Sequence, residues 1–194
     1  MSQRQTRQRL TSMKGSNTTA AFMPKVYLPR TIATNIQGTA MSSTTQHTAR
    51  LPYHKLSSKA FMGLVSLSET IKKGPLGARL AELVFLRVSQ INGCAYCMDM
   101  HWAYLVKDGM DPRHLNAVAG WREAPFFGER ERAAFRWAEI ITATPHSDAS
   151  DEEYAKLQAV FNEAEISELG FAIGVINAWN LINAGMRAPI PQAG

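Results

Sequence analysis

From about residue 55 onward, apolar residues recur at helical spacing, and no alternating strand pattern runs longer than four residues. The strictest constraint lies at about 77–91. Leu80, Leu83, Val84, Val88 and Ile91 fall on one side of a helix there, and Glu82, Phe85, Leu86 and Ser89 fall on the other. The second side is mostly apolar too, and a helix apolar on both faces belongs at the centre of a fold. Glu82 is then a carboxylate on a buried helix, which requires a partner. Arg79, three residues earlier, is the simplest one available to a helix.

The rest of the chain supports an all-α domain. Phe61, Leu64, Val65, Ser68 and Ile71 mark one face of a first helix, stopped by Gly74 and Pro75. Gly93 breaks the central helix. The next begins at Cys94 and Cys97, runs to about Lys107 and ends at Gly109. Asp111 caps a short helix to Ala119 with Pro112 in its first position. Ala134, Trp137, Ala138 and Ile141 give another helical face after the WREAPFFG loop. Ser150 and Glu153 read as a capping box for a helix carrying Tyr154, Leu157, Phe161 and Ala164. Leu169 to Asn183 is apolar nearly all round, with Asn177, Asn180 and Asn183 as a polar row that could line a seam. Within it, the apolar run Phe171–Ile176 is far too short to span a bilayer.

A chain of 194 residues with 45% apolar content can bury a proper core as one domain. Residues 1–48 form an arm of Ser, Thr, Gln and Arg without apolar periodicity, and 49–194 form the helical domain. The arm has the composition of a transit peptide, but an upstream extension or flexible tail is preferred, with Met41 as an alternative start. The net charge of +5 is concentrated at this end: residues 1–68 hold nine Lys or Arg and no acid. From Glu69 onward acids outnumber bases, sixteen to twelve, so a nucleic-acid partner is not expected. No apolar core of a secretory signal and no phosphate-binding glycine loop occurs, so neither secretion nor nucleotide binding is expected.

Glu82, Cys94, Cys97 and His101 stand out chemically, spaced E-x11-C-x2-C-x3-H. They include the chain's only two cysteines. A disulfide between residues so close closes almost no loop and stabilises little. The pair is better explained by chemistry, and it suits a reducing, cytoplasmic compartment. Three readings compete. In dithiol redox catalysis, a thiolate is oxidised to sulfenic acid and condenses with its neighbour. In a zinc site, both thiols, His101 and Glu82 would be ligands, although structural zinc sites usually recruit ligand pairs farther apart. The bland reading is two packed cysteines beside a satisfied histidine. Redox catalysis is preferred, since a CxxC at a helix start followed by His at i+4 is an improbable accident. His54, His114 and His146 lie in loops or near caps, His47 lies in the arm, and the tryptophans read as core or subunit contacts.

The motif also resembles the AhpD-like alkylhydroperoxidases of the carboxymuconolactone decarboxylase superfamily, over roughly residues 50–188. Three stretches carry the resemblance: Glu82 to His101, GWREAPFFGERERAAFRWAEIIT from Gly120 to Thr142, and ELGFAIGVINAWN from Glu168 to Asn180. Tyr96 stands where some relatives have a histidine, and Leu181 where relatives often have arginine. The resemblance implies an AhpD-like helical bundle that acts as a CxxC-dependent peroxidase on alkyl hydroperoxides, without metal, haem or flavin. It implies Cys97 as the attacking thiol and Cys94 as the resolving one, with His101 and Glu82 relaying protons. It implies a trimer or hexamer and an external dithiol reductant, either lipoyl-bearing or thioredoxin-like. A non-redox decarboxylase of the superfamily, or a dithiol sensor that oxidises once, is the alternative. The residues themselves are divided on which thiol ionises. The helix N-terminus favours Cys94, whereas hydrogen bonding from His101 favours Cys97.

Overall fold

The structure, a computed structural model, describes residues 48–191. Among these the chain forms eight α-helices and one 3-10 turn, and no strand. The helices are α1 (Tyr53–Leu56), α2 (Ser58–Lys73), α3 (Ala78–Asn92), α4 (Ala95–Lys107), α5 (Pro112–Asn116), α6 (Glu129–Thr142), α7 (Asp151–Gln158) and α8 (Glu163–Met186). The all-α expectation holds. The expected arm, residues 1–48, lies outside the described residues except for residue 48.

Helix α3 is central because both of its faces are apolar. Its Leu80, Ala81, Val84, Phe85 and Val88 join a core with Ile71 of α2 and Leu169, Ala172, Ile173 and Ile176 of α8. On the other side Leu83 and Leu86 enter a second cluster with Leu105, Leu115, Val118, Trp121, Phe127 and Phe135. Filling both faces removes most of the helix from water and fixes its rotation about its own axis. Ile91 is the exception: it lies in the last turn of α3 and is exposed.

The turn between α3 and α4 builds the start of the site. Gly93 adopts a left-handed conformation with φ 65°, which costs a residue without Cβ little. The Cys94 amide then donates to the Ser89 carbonyl at 3.0 Å, and Cys94 becomes the N-cap of α4.

Near the C-terminus the helix boundaries differ from the sequence expectation. One helix over Tyr154 to Ala164 is not formed: α7 stops at Gln158, Phe161 is buried in the connection, and Ala164 belongs to α8. Asn162 causes the break. Its side chain accepts from the Glu165 amide at 3.0 Å, and Glu165 accepts from the Asn162 amide at 3.0 Å, a reciprocal capping box. The box expected at Ser150 is only half made. Ser150 Oγ accepts from the Glu153 amide at 3.4 Å, while the Glu153 carboxylate is held by Arg136 at 3.0 Å. The Asp111 helix is likewise shorter than expected, ending at Asn116 before a 3-10 turn at Val118–Gly120.

Helix α8 reaches 24 residues and, by length and composition, is apolar enough to cross a membrane. It is far longer than the six-residue run that stands out in the sequence. It packs against α2, α3, α4 and α6 and buries Asn180 and Asn183, which is the arrangement of a core helix.

Candidate active site

Helices α3, α4 and α8 bring the four singled-out residues into one neighbourhood, together with residues that the motif does not contain. Glu82 projects from α3 and His101 from α4, and both are buried, 3% and 5% exposed. Glu82 Oε2 lies 2.6 Å from His101 Nδ1. A carboxylate can only accept, so the proton of this bond sits on Nδ1. Among the described residues, His101 Nε2 is the buried side-chain polar atom without a hydrogen-bond partner. An unpartnered nitrogen in a buried setting is costly unless it has chemistry to perform. The Phe85 ring lies against the imidazole, with centroids 5.2 Å apart.

Arg79 is not the partner of Glu82. Its guanidinium turns outward to Asp108 at 2.9 Å, because α4 ends beside the start of α3 and offers an acid at the surface. The ammonium near Glu82 is that of Lys72 of α2, with Nζ 3.6 Å from Glu82 Oε1 and 2.5 Å from Glu69. Nothing in the spacing of the motif announces Lys72; it is one of two basic residues in the last turn of α2.

Both cysteines are reduced and buried, and Cys97 is fully enclosed. The Cys94 thiol is pulled down to about 6. The first cause is hydrogen bonding from the Cys97 thiol, which outweighs burial; the Cys97 amide and Asn180 add to it. Cys97 moves the opposite way: donation to Cys94 and full burial push its thiol up. The two sulfurs thus share one proton near neutral pH, with the charge on Cys94 and the proton on Cys97. The argument that His101 would draw the resting charge to Cys97 is therefore not what the geometry favours. The neighbouring thiol dominates.

The asparagine row of α8 is the feature the sequence singled out without assigning. Asn183 Nδ2 donates to Cys97 Sγ at 3.2 Å, and Asn183 Oδ1 accepts from the Tyr53 hydroxyl at 2.7 Å. Asn180 Nδ2 donates to Ser89 Oγ at 3.0 Å and its Oδ1 accepts from Asn92 at 2.9 Å. Asn177 accepts from Asn92 at 2.8 Å and donates to Thr142. The row is a polar seam between α8 and α3, and its end holds a sulfur. Three-residue spacing on an otherwise apolar helix was the available signal.

Two openings reach this cluster. A pocket of about 280 Å³ is lined by Glu82, His101, Phe61, Phe85, Tyr104 and Trp179, among others. A shallower one of about 340 Å³ is lined by Cys94, Ala184, Arg187, Ala188 and Ile190, among others. Tyr96, which occupies the position where some relatives carry histidine, lines both. Among the described residues, no three or more His, Cys, Asp and Glu side chains converge as metal ligands would.

Comparisons with known proteins bear on the family and the fold. The profile of the carboxymuconolactone decarboxylase family matches residues 59–139. The uncharacterized protein YdfG of Bacillus subtilis is 30% identical over 137 residues, 71% of this chain and 93% of its own length. A protein of unknown function from Agrobacterium tumefaciens, described as an antioxidant defence protein of the AhpD type, superposes with TM-score 0.72 at 36% identity. That match covers 75% of this chain and all of the other. The debrominase Bmp8 shares the fold, with TM-score 0.60 at 23% identity over 69% of this chain and 70% of its own. The chain belongs to the carboxymuconolactone decarboxylase family, and its fold is that of the AhpD-like members.

Proposed function

We propose that the protein is a dithiol peroxidase that reduces organic hydroperoxides through a Cys94–Cys97 disulfide. The observation that carries this reading is the pair of buried thiols sharing one proton beside a Glu82–His101 dyad whose Nε2 is unpartnered.

The chemistry runs in three steps. Cys97 first loses its proton to His101 Nε2, one helical turn away on α4. The Cys97 thiolate attacks the terminal oxygen of the hydroperoxide. The O–O bond breaks, an alcohol leaves with a proton from His101, and Cys97 is oxidised to sulfenic acid. The Cys94 thiolate then attacks the Cys97 sulfur and closes the disulfide, and the hydroxide that leaves takes a proton from solvent to become water. Glu82 orients the imidazole and stabilises its charged form. Asn183 holds the Cys97 sulfur in place throughout.

The cycle closes when an external dithiol, of lipoyl-bearing or thioredoxin-like type, takes up the disulfide's oxidising equivalents. We infer a homo-oligomer, a trimer or hexamer, acting in the cytoplasm. Exposed Phe171 and Leu181 on α8 supply apolar surface for subunit contact, at 61% and 74% exposure. Light scattering of the purified protein measures the assembly directly.

The deciding experiment measures consumption of cumene hydroperoxide with dihydrolipoamide, reduced thioredoxin or glutathione as donor. Repeated turnover with a dithiol supports the peroxidase, whereas a single equivalent consumed reduces it to a sensor. In Cys94→Ser one peroxide equivalent should still give a dimedone-trappable sulfenic acid on Cys97, without turnover. Rapid sulfenic acid formation on Cys94 in Cys97→Ser would reverse the roles of the two thiols.

A further inference from the structure

The two openings divide the site chemically. The deeper pocket contains the dyad, Glu82 and His101, and neither sulfur. The shallower opening contains Cys94 and neither member of the dyad. Tyr96 and Asn183 line both, so they form the partition. Asn183 is fixed there from both directions, accepting from Tyr53 and donating to Cys97. The shallower mouth is lined by small or apolar side chains, Ala95, Ala184, Ala188, Pro189 and Ile190, and by one charged residue, Arg187.

We propose that the shallower mouth is a separate docking site for the reducing dithiol, that this dithiol is anionic, and that it attacks Cys94. This rests on the peroxidase reading above and extends it by assigning the reductant its own entrance. Peroxide enters on the side of the dyad, where a proton must be given to the departing alcohol. The reductant enters on the side of Cys94, the disulfide sulfur that lines an opening; Cys97 is fully enclosed.

In the exchange, a donor thiolate attacks Cys94 Sγ. The Cys94–Cys97 bond breaks and Cys97 leaves as thiolate, which takes up a proton through His101; His101 regains it from solvent, to which the second donor thiol gives up its own. The second donor thiol then attacks the mixed disulfide, the donor departs as its own disulfide, and Cys94 is released as thiolate. Two electrons pass from donor to protein. Cys94 is the better target on geometry, and Cys97 is the leaving group because the buried dyad can protonate it. Arg187 supplies charge complementarity for a donor with a carboxylate near its dithiol.

The test separates the half-reactions by stopped-flow tryptophan fluorescence. Ala188→Trp fills the shallower mouth and should slow reduction of the disulfide by dihydrolipoate about tenfold or more, leaving single-turnover oxidation by cumene hydroperoxide unchanged. Val65→Trp, in the other pocket, should do the reverse. Equal slowing of both half-reactions by either filler would overturn the separate entrances.

Wild-type protein supplies a check that does not depend on these variants folding. S,S-dimethyl dihydrolipoate, which cannot transfer electrons, should inhibit reduction and leave oxidation untouched; inhibition of both sinks the proposal. Dihydrolipoate should reduce the disulfide several-fold faster than neutral dihydrolipoamide, and Arg187→Gln should bring the ratio to about one. A wild-type ratio of one removes the anionic donor. The disulfide can also be made with diamide. Failure of peroxide to oxidise wild-type protein would thus count against the peroxidase, while the mouth is still judged on reduction alone.

Discussion

Glu82 and Glu139 are both carboxylates held inside the bundle, and they are used in opposite ways. Glu139 of α6 accepts from Arg87 at 2.7 Å, from the Trp121 indole at 2.8 Å and from Arg122 at 2.5 Å. Two guanidinium groups and an indole satisfy both of its oxygens, and despite its burial the carboxyl is held below the usual range by Arg122, Trp121 and Arg87. Glu82 has one imidazole at hydrogen-bond distance and one ammonium at 3.6 Å, and it passes its influence to a nitrogen with no partner. A fully satisfied carboxylate locks helices together; a carboxylate whose partner stays available can move a proton. Both stretches are prominent in the sequence. Only the surroundings distinguish an anchor from a relay.

The largest effect that could break this contrast is on stability. Glu139→Ala leaves Arg87 and Trp121 without their acceptor, and urea unfolding should reveal a loss of about 2–4 kcal/mol. Activity per folded molecule should stay near that of the parent. A stable variant with reduced catalysis would mean that Glu139 belongs to the chemistry.

Glu82→Gln should give the opposite result. The side chain keeps its volume and one acceptor but cannot carry the charge, so peroxide-dependent disulfide formation should slow about 100-fold. The melting temperature should move little. If the rate is unchanged, the carboxylate is only a packing partner of His101.

A smaller but sharper effect concerns the proton shared by the thiols. Alkylation of Cys94 by iodoacetamide, followed by peptide mass spectrometry, should rise with pH through a midpoint of about 6. Cys97→Ala deletes the largest cause of that low value. The midpoint should then climb toward the ordinary thiol range, about 8–9, so that Cys94 is mostly protonated at pH 7. A midpoint still near 6 would assign the effect to the helix start alone.

Arg79→Ala should do least. Its pair with Asp108 is exposed, worth within about 0.5 kcal/mol, and the rate should be unaffected. A marked loss of activity would return Arg79 to the role that its spacing from Glu82 first suggests.

Much of the fold was legible because its signals are local. The two-sided apolar pattern of 77–91 placed α3 at the centre, and Gly93, Gly109 and Asp111 marked boundaries through backbone preferences that neighbours hardly alter. The failures have equally local causes. Asn162 and Glu165 cap α8 beneath an apolar pattern that continues across them, so Tyr154 to Ala164 reads as one helix. At Ser150 the hydroxyl caps as expected, but Glu153 has a better partner in Arg136, which comes from a different helix. Cys94, Cys97 and His101 were legible as a group because all three sit within two turns of one helix.

The sequence by itself determined which segments are helical and that two thiols and an imidazole share the start of α4, since helical period, caps and i to i+4 spacing act over a single turn. It also determined that the asparagines of α8 form one row. Tertiary structure decided what that row touches, which cation approaches Glu82, and which of its possible partners Arg79 takes. It decided as well that the resting proton lies on Cys97. These outcomes depend on how α2, α3, α4 and α8 cross, and on which of two thiols is deeper and which caps a helix. Hydrogen bonds and charges act over a few ångströms in space, whatever the separation along the chain: 19 residues divide Glu82 from His101, and 86 divide Cys97 from Asn183.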